Sequence, residues 1–159
     1  MLEFKRSYDS NAPLTDALPS LVQAGGARYA GMGLRDLCDE LHACYRQHGT
    51  AKAIKRMYTV LPEVAMRPAD AYSQLVRGEV EPVPIDRLEG RIAAVMLVPY
   101  PPGIPLIMPG ERFTSETRSI IDYLQFARTF DQQFPGFDAD VHGLQKQEDG
   151  QYAVDCLKP

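Results

Sequence analysis

Over residues 33–48, Leu34, Leu37, Leu41 and Tyr45 recur at i, i+3, i+7 and i+11, with Cys38 and Cys44 flanking the same stripe. That period predicts an amphipathic helix. Arg35, Asp36, Asp39, Glu40 and Arg46 take its polar side, and Gly49 stops it. Thr50 is then placed to cap a second helix over residues 51–61, whose apolar face is Ile54, Met57, Tyr58 and Leu61. Ahead of both, Thr15 can cap a short helix through about Val22, with Pro19 in its first turns and Gly25-Gly26 ending it. Residues 1–9 (MLEFKRSYD) are amphipathic but have no capping residue before them. They read as the tail of an element that begins elsewhere, and residues 1–12 are assigned to such a tail or linker.

The second half changes period. Pro62 and Pro68 bracket a short extended piece, and Pro68 suits the first turn of a helix over residues 69–77 that Gly78 ends. Residues 79–85 contain Pro82 and Pro84 and can form only an edge strand or an extended connector. Residues 92–98 (IAAVMLV) are apolar without alternation, which predicts a strand covered on both faces. Thr114 is placed to cap the longest helix, residues 115–134, with Ile120, Leu124, Ala127 and Phe130 as its stripe and Pro135-Gly136 as its end. Residues 141–157 are split by Glu148-Asp149-Gly150, a hairpin signal. The elements sum to an α+β domain, three or four helices packed on a small mixed sheet.

The bulk properties narrow the class. A chain of 159 residues suffices for one domain with a real core. A formal charge of −4 leaves no electrostatic footprint for nucleic acid and suits anionic membranes poorly. Cys38, Cys44 and Cys156 are odd in number and lack CxxC spacing, as expected of reduced thiols. The longest apolar run, residues 92–98, is far too short to cross a bilayer, and the polar start does not resemble a signal peptide. The expectation is a soluble cytoplasmic domain without nucleic-acid or membrane partners.

Little in the residues suggests complete catalytic machinery. His42 lies four residues after Cys38, but a metal needs three or four ligands and no second such pair exists, so no metal site is expected. His48 falls at a helix end and His142 near a strand end, both ordinary places for histidine. No glycine-rich phosphate loop or nucleophile elbow is present. Lys5, Lys52, Lys55, Lys146 and Lys158 all have polar or helix-surface neighbours, not the apolar pocket that imine chemistry needs.

The unusual stretch is PYPPGIPLIMPGE (residues 99–111), which holds five of the chain's 13 prolines. Proline fixes φ and removes donors, so such a segment loses little entropy on ordering. Tyr100 offers a flat face with a hydroxyl and Glu111 a carboxylate, backed by Pro101, Pro102, Gly103, Pro105 and Gly110. Two readings stand on spacing alone: a stiff wall that receives a cationic substrate, or a packing device against the sheet.

Together with FKRSYD (4–9), LPSL (18–21), FPGFDADVHG (134–143) and YAVDCLK (152–158), the block EGRIAAVMLVPYPPGIPLIMPGE (89–111) resembles the C-terminal domain of bacterial ornithine/lysine/arginine decarboxylases. These are large pyridoxal-phosphate enzymes of fold type I, and the matching pieces run in family order along the whole chain. The resemblance implies that residues 13–159 are the C-terminal domain of such an enzyme, with the pyridoxal phosphate bound outside this segment. The family's Schiff-base lysine follows a histidine, and no His-Lys pair occurs here. The parent would decarboxylate a basic amino acid and consume a proton per turnover, which suits polyamine supply and acid resistance. Its partners would be the preceding cofactor-binding domain and further copies in a homodimer or larger homo-oligomer. By the same analogy residues 100–111 would line the substrate channel, with no catalytic residue in this segment. GERFTSETRSIIDYLQF followed by FPGFDADVHG is most similar to lysine-type members, with arginine or ornithine as the other substrates. A free-standing, non-enzymatic interaction module derived from the domain is the alternative.

Overall fold

The computed structural model describes residues 2–100, 102–137 and 140–159. Pro101 of the proline block and Asp138 and Ala139 of the FPGFDADVHG block lie outside the described residues. In chain order the elements are α1 (Leu2–Asp9), α2 (Leu14–Ala17), α3 (Pro19–Gly25), α4 (Leu34–Gln47), α5 (Thr50–Met57), β1 (Glu63–Val64), α6 (Pro68–Val76), β2 (Val80–Pro84), β3 (Val98–Pro99), β4 (Glu111–Arg112), α7 (Arg118–Gln133), β5 (Val141–His142), β6 (Leu144–Lys146) and β7 (Tyr152–Leu157). They fall into two compact units, one from the described parts of 1–51 and 129–138, the other from those of 52–128 and 139–159. No helix among the described residues is long and apolar enough to cross a membrane.

In the first unit α4 buries Leu34, Leu37 and Cys44. The stripe is turned slightly from the expected one, because Tyr45 stays 42% exposed, its ring 5.5 Å from that of Phe130. Gly33 has no side chain with which to cap α4, and Asn11 does so from outside the helix. Its Oδ1 accepts from the Arg35 and Asp36 amides at 2.9 and 3.3 Å. Asp36 in turn accepts from the Asn11 side-chain amide and from the Gly33 N–H, and these two donors hold its carboxyl below the usual carboxylate range. A methyl group on Gly33 would collide with the Asn11 side chain.

Two helices differ from expectation. The one expected from Thr15 breaks at Leu18 (φ −142°, ψ 63°), and Pro19 opens α3 instead of lying within a longer helix. A proline disfavours helical geometry at the residue before it and serves well as a first helical residue. The helix after Gly49 ends at Met57, four residues early. There the Thr59 N–H and hydroxyl both donate to the Arg56 carbonyl, a local turn that competes with helix. Leu61 is consequently 91% exposed, and the buried Thr50 hydroxyl caps nothing, having no hydrogen-bond partner among the described residues.

The second unit carries the strands, and the α+β class is borne out. Among the described strands every pairing is antiparallel, in the order β2-β7-β6 with two separate pairs, β1-β4 and β3-β5. Pro82 and Pro84 lie in β2 at the sheet's edge, where a missing N–H is tolerated. The β6–β7 hairpin turns at Gly150 (φ +80°), with the Asp149 carboxylate accepting from the Gln151 amide, as the Asp-Gly signal predicts.

Residues 92–98 do not form the continuous covered strand that their composition predicts; β3 keeps only Val98 of them. Their backbone groups are shared among several neighbours. The Ile92 carbonyl accepts from the Leu157 amide, and the Ala94 amide donates to Asp155. The Ala93 amide donates to Glu111 and its carbonyl accepts from Gly110, whereas Leu97 pairs with Ile107. The chain bends at Ala94 and Val95 to reach these partners, and Ala93 and Ala94 are small enough to stay buried through the bend. Arg91 braces the start of the run, donating to Glu81 at 2.6 Å and to the Leu157 carbonyl at 2.9 Å.

The core of this unit gathers Leu88, Leu97, Ile107 and Phe113 with Ile120, Ile121 and Leu124 of α7 and Val154 and Cys156 of β7. Burial pushes the Cys156 thiol up to about 12, so it remains protonated and inert at neutral pH. The helix α7 starts three residues later than expected, and Thr117 is the residue that organises its entry. The Thr117 hydroxyl accepts from the Thr114 amide at 2.8 Å and donates to the Thr114 carbonyl at 3.0 Å while fully buried. Thr117→Ala is therefore expected to lower stability by about 1–2 kcal/mol, and Thr114→Ala by less than about 0.5 kcal/mol. Urea-unfolding midpoints of the two variants compare them directly; equal midpoints would remove Thr117 from this role.

Candidate functional site

The proline segment leaves β3, makes an excursion and returns to the core under tight control of its ends. At the start, β3 pairs with β5 (Val98 opposite His142, Pro99 opposite Val141), and the Tyr100 amide donates to the Asp140 carbonyl at 2.7 Å. At the return, the Leu106 amide donates to Leu97 at 2.8 Å and the Leu97 amide to Ile107 at 3.1 Å. Leu106 and Ile107 are buried and anchor the return, and their pairing with Leu97 brings the two ends of the excursion together.

Within it, the Gly103 amide donates to the Pro99 carbonyl at 2.9 Å, closing a turn at φ +79°. A methyl group on Gly103 would stand 3.1 Å from the Tyr100 ring, so the aromatic face lies over this glycine. The tip faces outward: Tyr100 is 54% exposed, Ile104 51% and Met108 37%. Pro102 and Pro105 are exposed with them. The result is a stiff apolar rim on a buried Leu-Ile anchor. Ile104 and Met108 were absent from the sequence-derived site, although their spacing on either side of the inward-facing Leu106-Ile107 pair carried the signal.

Gly110 and Glu111 belong to a second turn, with different partners from those of Tyr100. The Glu111 amide donates to the Met108 carbonyl at 3.1 Å, and the Glu111 carboxylate accepts from the Met108 amide at 2.7 Å, clasping the Met-Pro-Gly-Glu turn across itself. The Gly110 carbonyl accepts from both the Ala65 and Met66 amides, at 3.0 and 3.1 Å, and its own amide donates to Ala93 at 2.8 Å. The turn thus docks on the β1–α6 connection. Beside it, Arg112 donates to the Glu63 carboxylate and to the Gly90 carbonyl.

Chemical groups elsewhere are sparse. His42, His48 and His142 are exposed, and no group of three or more metal-ligating side chains occurs among the described residues. All five lysines are exposed: Lys5 pairs with Asp9, Lys146 lies over the Tyr152 ring, and Lys158 donates to the Gly78 carbonyl. None occupies the desolvated pocket an amine nucleophile uses. The described groups around the proline segment supply a shaped, largely apolar surface with one tyrosine.

A family described as "Orn/Lys/Arg decarboxylase, C-terminal domain" matches residues 51–158. Lysine decarboxylase LdcA of Pseudomonas aeruginosa is 73% identical over 161 residues, covering 99% of this chain and 21% of LdcA. The constitutive lysine decarboxylase of Escherichia coli is 40% identical over 158 residues, again 99% of this chain and 22% of that protein. The solved structure of lysine decarboxylase A from Pseudomonas aeruginosa superposes with a TM-score of 0.92 over 99% of this chain and 21% of its own. The chain therefore spans about a fifth of the length of these relatives.

Proposed function

Because the chain belongs to the family of Orn/Lys/Arg decarboxylase C-terminal domains, we propose that it serves a pyridoxal-phosphate-dependent basic-amino-acid decarboxylase as the wall of its substrate entrance and a surface for its assembly. Lysine is the substrate we favour, on the 73% identity to a lysine decarboxylase across 99% of the chain. The observation that carries the surface role is the exposed rim of Tyr100, Pro102, Ile104, Pro105 and Met108. A monomeric domain gains nothing from holding such a rim rigidly in water, whereas a partner surface does.

The residues present do not fit the cofactor itself. Exposed lysines offer no site for a Schiff base, so we place the pyridoxal phosphate on other regions of the parent, together with its electron-sink chemistry. Residues 1–12 are then the incoming tail and residues 13–159 the domain. In the parent, Tyr100 would bound the path of the basic substrate, and Glu111 would keep the turn beneath it closed. A homodimer or larger homo-oligomer in the cytoplasm is the setting we favour.

The 159-residue chain mixed with pyridoxal phosphate and lysine is expected to release no carbon dioxide and to develop no internal-aldimine absorbance band. A longer chain carrying these residues is expected to do both. Turnover by the short chain would overturn the division of labour, and an inactive longer chain would favour the free-standing interaction module.

A further inference from the structure

One residue both closes α1 and opens α4. Asn11 has φ +50°, the one positive value at a non-glycine among the described residues. Its amide donates to the Tyr8 carbonyl at 3.0 Å, and the Ala12 amide donates to Ser7 at 2.8 Å. These are the paired bonds with which a left-handed residue ends a helix, and asparagine tolerates that conformation better than most side chains do. The same side chain caps α4 through the Arg35 and Asp36 amides, and its Nδ2 donates to the Asp36 carboxylate at 2.9 Å. Residues 12–14 then run beside 32–34. The Ala12 carbonyl accepts from Leu34 at 2.9 Å, and the Leu14 amide donates to Met32 at 3.0 Å. Leu14 and Leu34 are both buried.

The helix that this joint holds is poorly covered. No residue of α1 is buried. Ser7 and Tyr8, near its end, are half-buried, whereas Phe4 is 57% exposed and Leu2 76%. Exposure that rises toward the start describes a helix fastened at its carboxyl end and projecting at the other. Eight residues are too few to hold a helix in water by their own hydrogen bonds. Two positions apart on a helix, Leu2 and Phe4 point about 200° from each other around the axis. One flat surface, such as a second copy would offer, cannot cover both. A body that surrounds the helix can, and the relatives supply the length for one. The chain spans 21% of LdcA, and the matched family is a C-terminal domain, which puts the rest of such a protein ahead of α1.

We propose that residues 2–14 form a rigid arm: Asn11 locks the direction in which α1 leaves α4, and Leu2 and Phe4 are enclosed by the chain that precedes them in the parent decarboxylase. Domains are usually joined by linkers that let them reorient. Here the joining segment is fastened on both sides of its turn, so it hands the direction of α4 to whatever encloses α1. The enclosing partner rests on the reading of the chain as part of a longer decarboxylase, whereas the joint at Asn11 stands without it.

Each half has its own test. Asn11→Gly keeps the positive φ that ends α1 and removes only the side chain that caps α4. Backbone amide order parameters in the 159-residue chain should be about 0.85 in both helices and fall below about 0.6 in α1 of the variant, with the middle of α4 unchanged. A mobile α1 in the unsubstituted chain, or an α1 indifferent to Asn11→Gly, would overturn the joint. Hydroxyl-radical footprinting reads the enclosure. Leu2 and Phe4 should be oxidised readily in the short chain. In a longer chain carrying these residues they should lose that reactivity, down to the level of the buried Leu34 and Leu37. Lysine decarboxylation by the longer chain, measured alongside, reports separately on the proposed function. An inactive longer chain with Leu2 and Phe4 protected would support the arm, and an active one with both still oxidised would overturn it. Protection that grows with the concentration of the short chain would assign the two side chains to a second copy and also overturn it.

Discussion

Gly110→Ala is expected to lower the stability of the chain by about 3–5 kcal/mol. Gly110 sits at φ +87°, where a side chain costs about 1–2 kcal/mol from backbone sterics alone. Most of the loss comes from its surroundings. A methyl group there would stand 2.5 Å from the Met66 carbonyl oxygen, a backbone atom that cannot swing away. Separating them strains the two hydrogen bonds that the Gly110 carbonyl accepts from Ala65 and Met66, and the one its amide donates to Ala93. Each is worth about 0.5–1.5 kcal/mol. Gly103→Ala and Gly150→Ala provide the scale. Gly103 shares the positive φ, but its near neighbour is the movable Tyr100 ring, and Gly150 has open space, so each should cost only about 1–2 kcal/mol. Urea-unfolding midpoints at constant slope measure all three. A Gly110→Ala midpoint no lower than that of Gly150→Ala would show that the docking of this turn on Met66 contributes nothing.

Ile104→Asp is expected to leave the isolated chain as stable as before and to weaken the assembly proposed for a longer chain carrying these residues by roughly two orders of magnitude. With Ile104 51% exposed, the substitution removes little buried surface within the chain. In an assembled enzyme that packs a partner surface on the rim, the same carboxylate would be buried without a counter-charge, a cost of about 2–4 kcal/mol. Leu106→Asp is the contrast, since Leu106 is buried at the loop's anchor and should unfold the chain itself. Sedimentation velocity of the parent beside thermal melts of the short chain separates the outcomes. Unchanged assembly in the Ile104→Asp parent would remove the rim from any interface.

Much of the helical framework was legible because its signal is local. The 3.6-residue stripes of α4 and α7, the Pro-to-Gly span of α6 and the Asp-Gly hairpin each needed only neighbouring residues. The failures share a different character. Residues 92–98 carry no period that distinguishes one long strand from a bent run shared among Asp155, Leu157, Glu111 and Ile107. Thr114 and Thr117 are equally plausible starts for α7, and only the buried geometry of the Thr117 hydroxyl decides between them. Asn11 caps a helix from 25 residues away, which spacing cannot reveal.

The candidate site was legible in the same partial way. Its stiffness followed from five prolines, but the division of labour within it did not. Glu111, which a sequence reading offers to a substrate, spends its carboxylate on the Met108 amide. The requirement for glycine at residue 110 comes from Met66, more than forty residues earlier in the chain. The exposed Ile104 and Met108 give the rim an apolar character that the tyrosine and the acid alone do not reveal.

Amide hydrogen exchange at Ile104 and Met108, followed in the 159-residue chain and in the full parent enzyme, tests the surface role most directly. Slower exchange in the parent at these positions, with unchanged protection at Leu106 and Ile107, is the expected result. Equal exchange in both proteins at the rim would contradict it.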